Sequence, residues 1–260
     1  MHIPKTAGSS FRRFLERTVR EAGGSVGERD RDGIWSATSE SYPSYEEFCS
    51  DAAASYRESD LLCGHYPFHV TELLPPETLI VTVLRDPQER VLSHIKHQMQ
   101  LERQTGTRAV EDDVNGFLMN CHNEMFLNTI GNLTLKYLVG REHPDNVIAA
   151  ETLSLEEAVA NAGRMQFGFA DELEAFQRRL FQLMRGVSTQ EIAVQFENRS
   201  EDRFSVTELS QRNRDLLREL TVFDRVLDEL LRRVLEGRIE QRSSEIGTQT
   251  NTNPEGHIAL

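Results

Sequence analysis

The stretch LIVTVLRDPQERVLS, residues 79–93, decides the fold class. Residues 79–84 are apolar except for Thr82 and β-branched at their centre, which is typical of a strand buried on both faces of a parallel sheet. Asp86 can cap a following helix and Pro87 suits its first turn, so the pattern predicts a helix from there to about Leu101. The sequence therefore predicts a strand–loop–helix unit of an α/β fold.

The rest of the chain alternates short strands with helices. The apolar spacing predicts helices over 10–23, 44–56, 110–139, 154–163 and 171–185, two closing helices over 209–220 and 222–234, and strands over 61–65, 166–170 and 192–196. Such alternation predicts one layered α/β domain over 1–240, with ligands at the carboxyl ends of the strands. The polar segment 241–260 is predicted to be a disordered tail.

Composition narrows the class of function. The chain has 260 residues and a net charge of −13, which argues against general nucleic-acid binding because that requires a basic surface. Its apolar runs are too short to span a bilayer and no leader pattern precedes Pro4, so a cytoplasmic protein without a transmembrane segment is expected. Three scattered cysteines suggest neither a disulfide framework nor a zinc site.

Positive charge is concentrated at the opening of the chain. Residues 1–22 contain five cationic and two acidic side chains, which gives this segment a net charge of +3. Residues 4–10, PKTAGSS, predict a loop that leads into a helix capped by Ser9 or Ser10, where backbone N–H groups favour phosphate or sulfate. The loop is not a Walker A motif, because GxxxxGK[ST] is absent. Considered alone, an ordinary capped helix is an equally good interpretation.

Arg85 and Ser93 form a second candidate anion site. Arg85 leaves the end of a buried strand, where its guanidinium needs an anionic partner. Ser93 lies two helical turns beyond Asp86 on the same face, so Arg85 and Ser93 can hold one phosphate. The alternative is an ion pair between Arg85 and a structural carboxylate.

Taken together, the two stretches resemble a known family. HIPKTAGSSF (2–11) resembles the 5′-phosphosulfate loop, and VTVLRDPQERVLSH (81–94) the 3′-phosphate motif, of sulfotransferases that use 3′-phosphoadenosine 5′-phosphosulfate (PAPS). The pattern is most similar to carbohydrate O-sulfotransferases of the heparan/dermatan 2-O-sulfotransferase type. Weaker similarity at CGHYPF (63–68), in the NEMFLNTIGN region, over 154–176 and in the helices after 207 extends the resemblance over roughly residues 1–235.

The resemblance implies a role for each matching residue. Lys5 would contact the sulfuryl group and the leaving phosphate, and His65 would be the catalytic base. The 5′-phosphate would be wrapped by Thr6, Ala7, Gly8, Ser9 and Ser10. The 3′-phosphate would be held by Arg85 and Ser93, while Arg90 matches the motif but is interpreted as structural. No metal ion is implied.

The resemblance also implies a fold and an activity. The expected fold is a three-layer P-loop-like domain with a short central parallel sheet, and the expected reaction moves a sulfuryl group from PAPS to a hydroxyl of a carbohydrate or other small acceptor. Relatives have an apolar strand before the HIPKTAG loop, so either translation starts upstream of Met1 or the first strand is missing. With no membrane anchor, unlike Golgi relatives, a bacterial cytosolic enzyme is expected.

Two other functions stay open at this point. One is a degenerate, truncated protein that binds PAPS or its product 3′,5′-adenosine bisphosphate (PAP) without turnover. The other is a nucleotide kinase with P-loop-like architecture, which the missing Walker lysine disfavours.

Overall fold

The computed structural model describes residues 1, 3–26, 50, 53–54, 60–61, 63–106, 114–120, 124–140, 149–185 and 205–250. This part of the chain is α/β and mostly helical, with a small parallel sheet of two strands. None of its helices combines the length and apolarity needed to cross a bilayer. In chain order the helices and strands are α1 Gly8–Glu21, β1 Val81–Leu84, α2 Pro87–Thr105, α3 Val114–Asn120, α4 Glu124–Ile130, α5 Leu133–Val139, α6 Leu155–Gly163, β2 Gln166–Phe169, α7 Leu173–Arg185, α8 Gln211–Leu220 and α9 Val222–Thr250.

The sheet pairs β1 with β2 in parallel. Val81 lies beside Gln166 and Leu84 beside Phe169. The predicted strand is confirmed, but it begins at residue 81 rather than 79. Leu79 is 44% exposed and lies before the first residue that pairs with β2. Gly168 lets α7 approach β2 closely, since a Cβ there would lie 2.2 Å from the ring of Phe176.

Helices cover both faces of this sheet. Consecutive strand residues point to opposite faces, so Val83 and Leu84 pack against different helices. Val83 packs in a buried cluster with side chains of α1 and α7. Leu84 packs on the other face with side chains of α5, α6 and α9. A third cluster joins α2, α3 and α8.

The two predicted helix starts have different outcomes. In α2, the side chain of Asp86 accepts a hydrogen bond of 2.9 Å from the Glu89 N–H and Pro87 is the first helical residue, as predicted. In α1, the prediction of a Ser9 or Ser10 cap is wrong. The helix begins at Gly8 after Ala7, whose backbone is left-handed, with no side-chain cap at that position. A backbone turn rather than a hydroxyl therefore starts this helix.

Some predicted elements changed length or lie outside the described residues. Within the described residues, the helical stretch predicted over 110–139 contains α3, α4 and α5, and it is interrupted at residues 131–132 between α4 and α5. Residue 61 of the predicted strand 61–65 forms a single parallel bridge with Val26. Helix α9 runs to Thr250, ten residues into the predicted tail, because the sequence has no proline to end it before Pro254. The predicted strand 192–196 and most of the predicted helix 44–56 lie outside the described residues.

Arg90 and Asp224 join three helices in the core. Both side chains are fully buried, and the Arg90 guanidinium lies 3.7 Å from the Asp224 carboxylate. Asp224, on α9, accepts hydrogen bonds from the Thr134 and Leu135 N–H groups in the first turn of α5. Asn132, the residue before α5, in turn accepts from the N–H groups that begin α9. Arg90 thereby fixes α2 to a pair of helices that cap each other.

We expect Asp224→Ala to destabilise the fold by about 3–5 kcal/mol, since it leaves a buried arginine unpaired and uncaps α5. Urea unfolding followed by circular dichroism measures the loss. The matched control is Asp215→Ala, which removes an exposed ion pair with Arg218 and should cost less than about 1 kcal/mol. Equal losses in the two variants would contradict a structural role for the buried pair.

Candidate functional site

The opening loop has a strained backbone. Lys5 and Ala7, two residues apart, have φ values of 67° and 66°, in the left-handed region that side chains disfavour. Ile3 is fully buried and anchors the loop, and the buried hydroxyl of Thr6 donates a hydrogen bond of 2.8 Å to the Ile3 carbonyl. Strain of this kind costs on the order of 1–3 kcal/mol per residue and is concentrated at ligand sites.

The loop leads directly into the N-terminus of α1. Gly8, Ser9 and Ser10 form the first turn of this 14-residue helix, where backbone N–H groups point out of the helix end. The Thr6 hydroxyl donates within the loop, so Thr6 would offer an anion its N–H rather than its O–H. The predicted segment 6–10 therefore offers backbone donors at the positive end of a helix dipole.

The two sequence motifs meet at the carboxyl end of β1. Arg85 follows this strand, and its Nη1 donates a hydrogen bond of 3.4 Å to the carbonyl of Lys5. Its Nη2 lies 3.4 Å from Glu89, but Arg85 is 32% and Glu89 40% exposed, so this pair contributes little stability. The alternative interpretation pairs Arg85 with a structural carboxylate. Glu89 is such a carboxylate, but its ion pair with Arg85 is weak and exposed to solvent. Two stretches eighty residues apart in sequence share one site.

The ammonium of Lys5 has a shifted pKa. Burial lowers the pKa of its ammonium from 10.5 to about 8. Desolvation of a cation is unfavourable unless an anion is close by. Burial therefore disfavours the protonated form of Lys5, and an anion bound beside it would stabilise that form.

His94 and His97 of α2 also lie near Lys5. The sequence alone predicts only surface or acceptor-lining roles for these two histidines. Burial, followed by the positive charges of Arg90, Lys5, His97 and His65, lowers the pKa of His94 to about 3. The pKa of His97 is lowered by burial and by Lys5. Lys5, His65 and the two α2 histidines are therefore close enough to interact electrostatically. We call Lys5, His65, Arg85, His94 and His97 the Lys5 cluster.

His94 is the residue that sequence analysis undervalued. Its ring lies edge-on to Phe126, with 6.0 Å between the ring centroids, and its buried Nδ1 has no hydrogen-bond partner. The signal in the sequence was its position directly after Ser93, within the second motif. A neutral imidazole with an unpaired ring nitrogen can accept or donate a hydrogen bond to a ligand without adding charge.

His65 and Ser93 complete the predicted set. His65 follows Gly64, where a Cβ would lie 2.2 Å from the ring of Tyr66, so the tight Gly-His turn requires glycine. Both His65 and Ser93 are half-buried, and Ser93 lies on α2 two turns beyond Asp86. The described residues contain no group of three histidine, cysteine or carboxylate side chains placed to hold a metal ion.

Arg90 stands apart from the site. Its side chain is fully buried and directed to Asp224 and the Ile130 carbonyl. This geometry agrees with the structural interpretation of Arg90.

The comparisons with known proteins supply no identity for this site. No model of a known protein family matches the chain, and no curated protein is significantly similar to it.

We expect Lys5 to titrate near pH 8, about two units below an ordinary lysine. Nuclear magnetic resonance of ¹³C-labelled lysine measures the pKa directly, and Lys5→Arg identifies its signal among those of the other two lysines, at 96 and 136. Because the protonated form binds anions, pyrophosphate affinity should fall as pH rises through 8, and bound pyrophosphate should raise the pKa of Lys5. Titration of Lys5 near ~10.4 would contradict its burial.

Proposed function

We propose that this chain is a PAPS-dependent O-sulfotransferase with a three-layer P-loop-like architecture. The observation that carries the proposal is the contact between the Lys5 loop and Arg85, because the two motifs resemble the two phosphate-binding elements of one nucleotide. Helices on both faces of the parallel sheet support the proposed architecture. A cytoplasmic location and the absence of a nucleic-acid partner stay predictions from composition.

In the proposed complex, each half of the site would hold one end of the nucleotide. The N–H groups of residues 6–10 would bind the 5′-phosphate at the N-terminus of α1. The guanidinium of Arg85 and the hydroxyl of Ser93 would bind the 3′-phosphate, with Arg85 donating charge-assisted hydrogen bonds. The strained Lys5 carbonyl accepts from Arg85, so occupancy of one half would help to order the other.

The proposed reaction moves one sulfuryl group between two oxygens. His65 would take the proton of the acceptor hydroxyl as its oxygen bonds to sulfur, while the bond from sulfur to the 5′-phosphate oxygen breaks. The ammonium of Lys5 would stabilise the negative charge that develops on that phosphate. The products are a sulfate ester and PAP, and His65 then loses its proton to solvent.

The acceptor is proposed to be a carbohydrate or another small hydroxyl compound. A net charge of −13 opposes the approach of a polyanion, so an acceptor of low charge is favoured. His94 and His97 line the same region as Lys5 and would meet the acceptor or the sulfuryl group.

We expect Arg85→Ala to weaken PAP binding by about 1.5–3 kcal/mol, a ten- to hundredfold loss, with little change for adenosine 5′-phosphosulfate, which lacks the 3′-phosphate. Isothermal titration calorimetry measures both affinities. Arg103→Ala removes the same charge from the exposed last turn of α2 and should leave both unchanged. If the wild-type protein bound the two nucleotides equally well, the proposed function would be wrong.

We expect His65→Ala to lower the rate of sulfate transfer by about 10²- to 10⁴-fold while PAP affinity is retained. Transfer of ³⁵S-labelled sulfate from PAPS to a panel of sugars and phenols measures the rate. His69→Ala is the matched control, because His69 pairs with Glu72, three residues away in sequence. Tight PAP binding without transfer to any acceptor would favour the degenerate binding protein instead.

A further inference from the structure

A pocket lies between β2, α7 and α9, away from the Lys5 cluster. Its volume is about 360 Å³, which is within the range of small-molecule sites. Gln166, the first residue of β2, lines it, whereas Arg85 of the Lys5 cluster follows the last residue of β1. Because the two strands are parallel, the pocket and the Lys5 cluster lie at opposite ends of the sheet. We call this cavity the β2 pocket.

The floor of the β2 pocket is apolar. Phe167 of β2 and Phe176 and Leu180 of α7 line it, and all three are buried. Leu183 and Ile239, which are 46% and 41% exposed, also line the pocket and connect it to solvent. A ligand with an apolar body could therefore enter from solvent and remove that body from water.

Two guanidinium groups also line the β2 pocket, from Arg179 on α7 and Arg238 on α9. The guanidinium carbon of Arg179 lies 5.8 Å from the centre of the Phe176 ring, and that of Arg238 lies 5.4 Å from the centre of the Phe167 ring. Arg238 also donates hydrogen bonds of 3.2 and 2.7 Å to two backbone carbonyls ahead of β2. Rings and carbonyls carry no net charge, so these contacts orient the two cations without neutralising them.

The charges of the pocket favour an anion. The described residues that line it include two arginines and no aspartate or glutamate, although the chain as a whole has a net charge of −13. A neutral apolar ligand would cover the guanidinium groups without pairing them, which costs free energy. An inorganic anion would leave the apolar floor in contact with water. A carboxylate attached to an apolar body meets both conditions, because a guanidinium matches the planar geometry of a carboxylate.

We propose that the β2 pocket binds an amphipathic carboxylate, with the carboxylate group at Arg179 and Arg238 and the apolar chain on the buried floor. The proposed nucleotide would lie at the other end of the sheet. This proposal therefore stands independently of the proposed function.

The chemistry of the ligand is tested with octanoate, which has a carboxylate and an alkyl chain. We expect octanoate to bind the full chain, and octanol, which has the same chain without the charge, to bind at least about tenfold more weakly. Acetate, which has the charge without the chain, should bind more weakly than octanol. Ligand-observed nuclear magnetic resonance measures the three Kd values, and the rise in Tm with octanoate concentration measures binding independently. No binding of octanoate, or equal binding of octanoate and octanol, would overturn the proposal.

Substitution of one arginine tests the location. Arg179→Leu removes a lining cation and should weaken octanoate binding about tenfold. Arg178→Leu is the matched control, because Arg178 is the preceding residue of α7, pairs with Glu174 and is not among the described residues that line the pocket. Circular dichroism melting compares the folding of the two variants. Wild-type affinity in Arg179→Leu, or equal losses in both variants, would contradict the proposed site.

A second pair of variants leaves both arginines in place. Leu183→Glu adds a negative charge at the exposed rim and should also weaken octanoate binding about tenfold. Val226→Glu makes a similar change at a comparably exposed residue of α9 and should have no effect.

The Lys5 cluster is the other place where a carboxylate could bind. Lys5→Gln removes the ammonium of that cluster, and we expect it to leave the affinity for octanoate unchanged. If Lys5→Gln lost octanoate binding while Leu183→Glu kept it, the ligand would occupy the Lys5 cluster and the proposal would be wrong.

Discussion

The buried pair of Arg90 and Asp224 is the constraint on which the candidate site depends. Arg90 lies on α2, which carries Ser93 and begins two residues after Arg85, so its attachment to Asp224 sets the position and rotation of this helix. Burial of two charges is costly, and here it is only partly offset: Asp224 also caps α5 and Arg90 Nη2 donates to the Ile130 carbonyl, while Nε and Nη1 of Arg90 make no hydrogen bond within the described residues. The same contacts that hold the core together therefore aim the second motif at the first.

The first motif is arranged at a cost in stability. Two left-handed residues and a desolvated lysine ammonium are each unfavourable, and they occur within three positions of one another. The burial of Ile3 on one side and of Phe11 and Phe14 on the other offsets this cost. An anion would relieve the desolvation of Lys5, so ligand binding and loop stability are coupled.

The sequence predicts what depends on neighbouring residues. The strand at 81–84 and the Asp86 cap were predictable because apolar runs and capping residues act within a few positions. The cap of α1 was predicted wrongly, because the left-handed turn at Ala7 depends on the buried Ile3 and the contact with Arg85. Asp224 caps a helix 90 residues away, and His94 is perturbed by residues from three segments. No local pattern contains such information.

Electrostatics explains how an acidic chain can offer an anion site. The excess of carboxylates gives the protein a negative field, but salt screens this field beyond about 8–10 Å. Close to the loop the positive charges of Lys5 and Arg85 prevail. Burial, followed by the charges of Arg90 and Lys5, lowers the pKa of His94 and keeps that ring neutral. At this site an anion would therefore be attracted at short range only, and geometry rather than long-range steering would select the ligand. Such selection would favour a small nucleotide over a long polyanion, because the two charged ends of the nucleotide would match the Lys5 loop and Arg85.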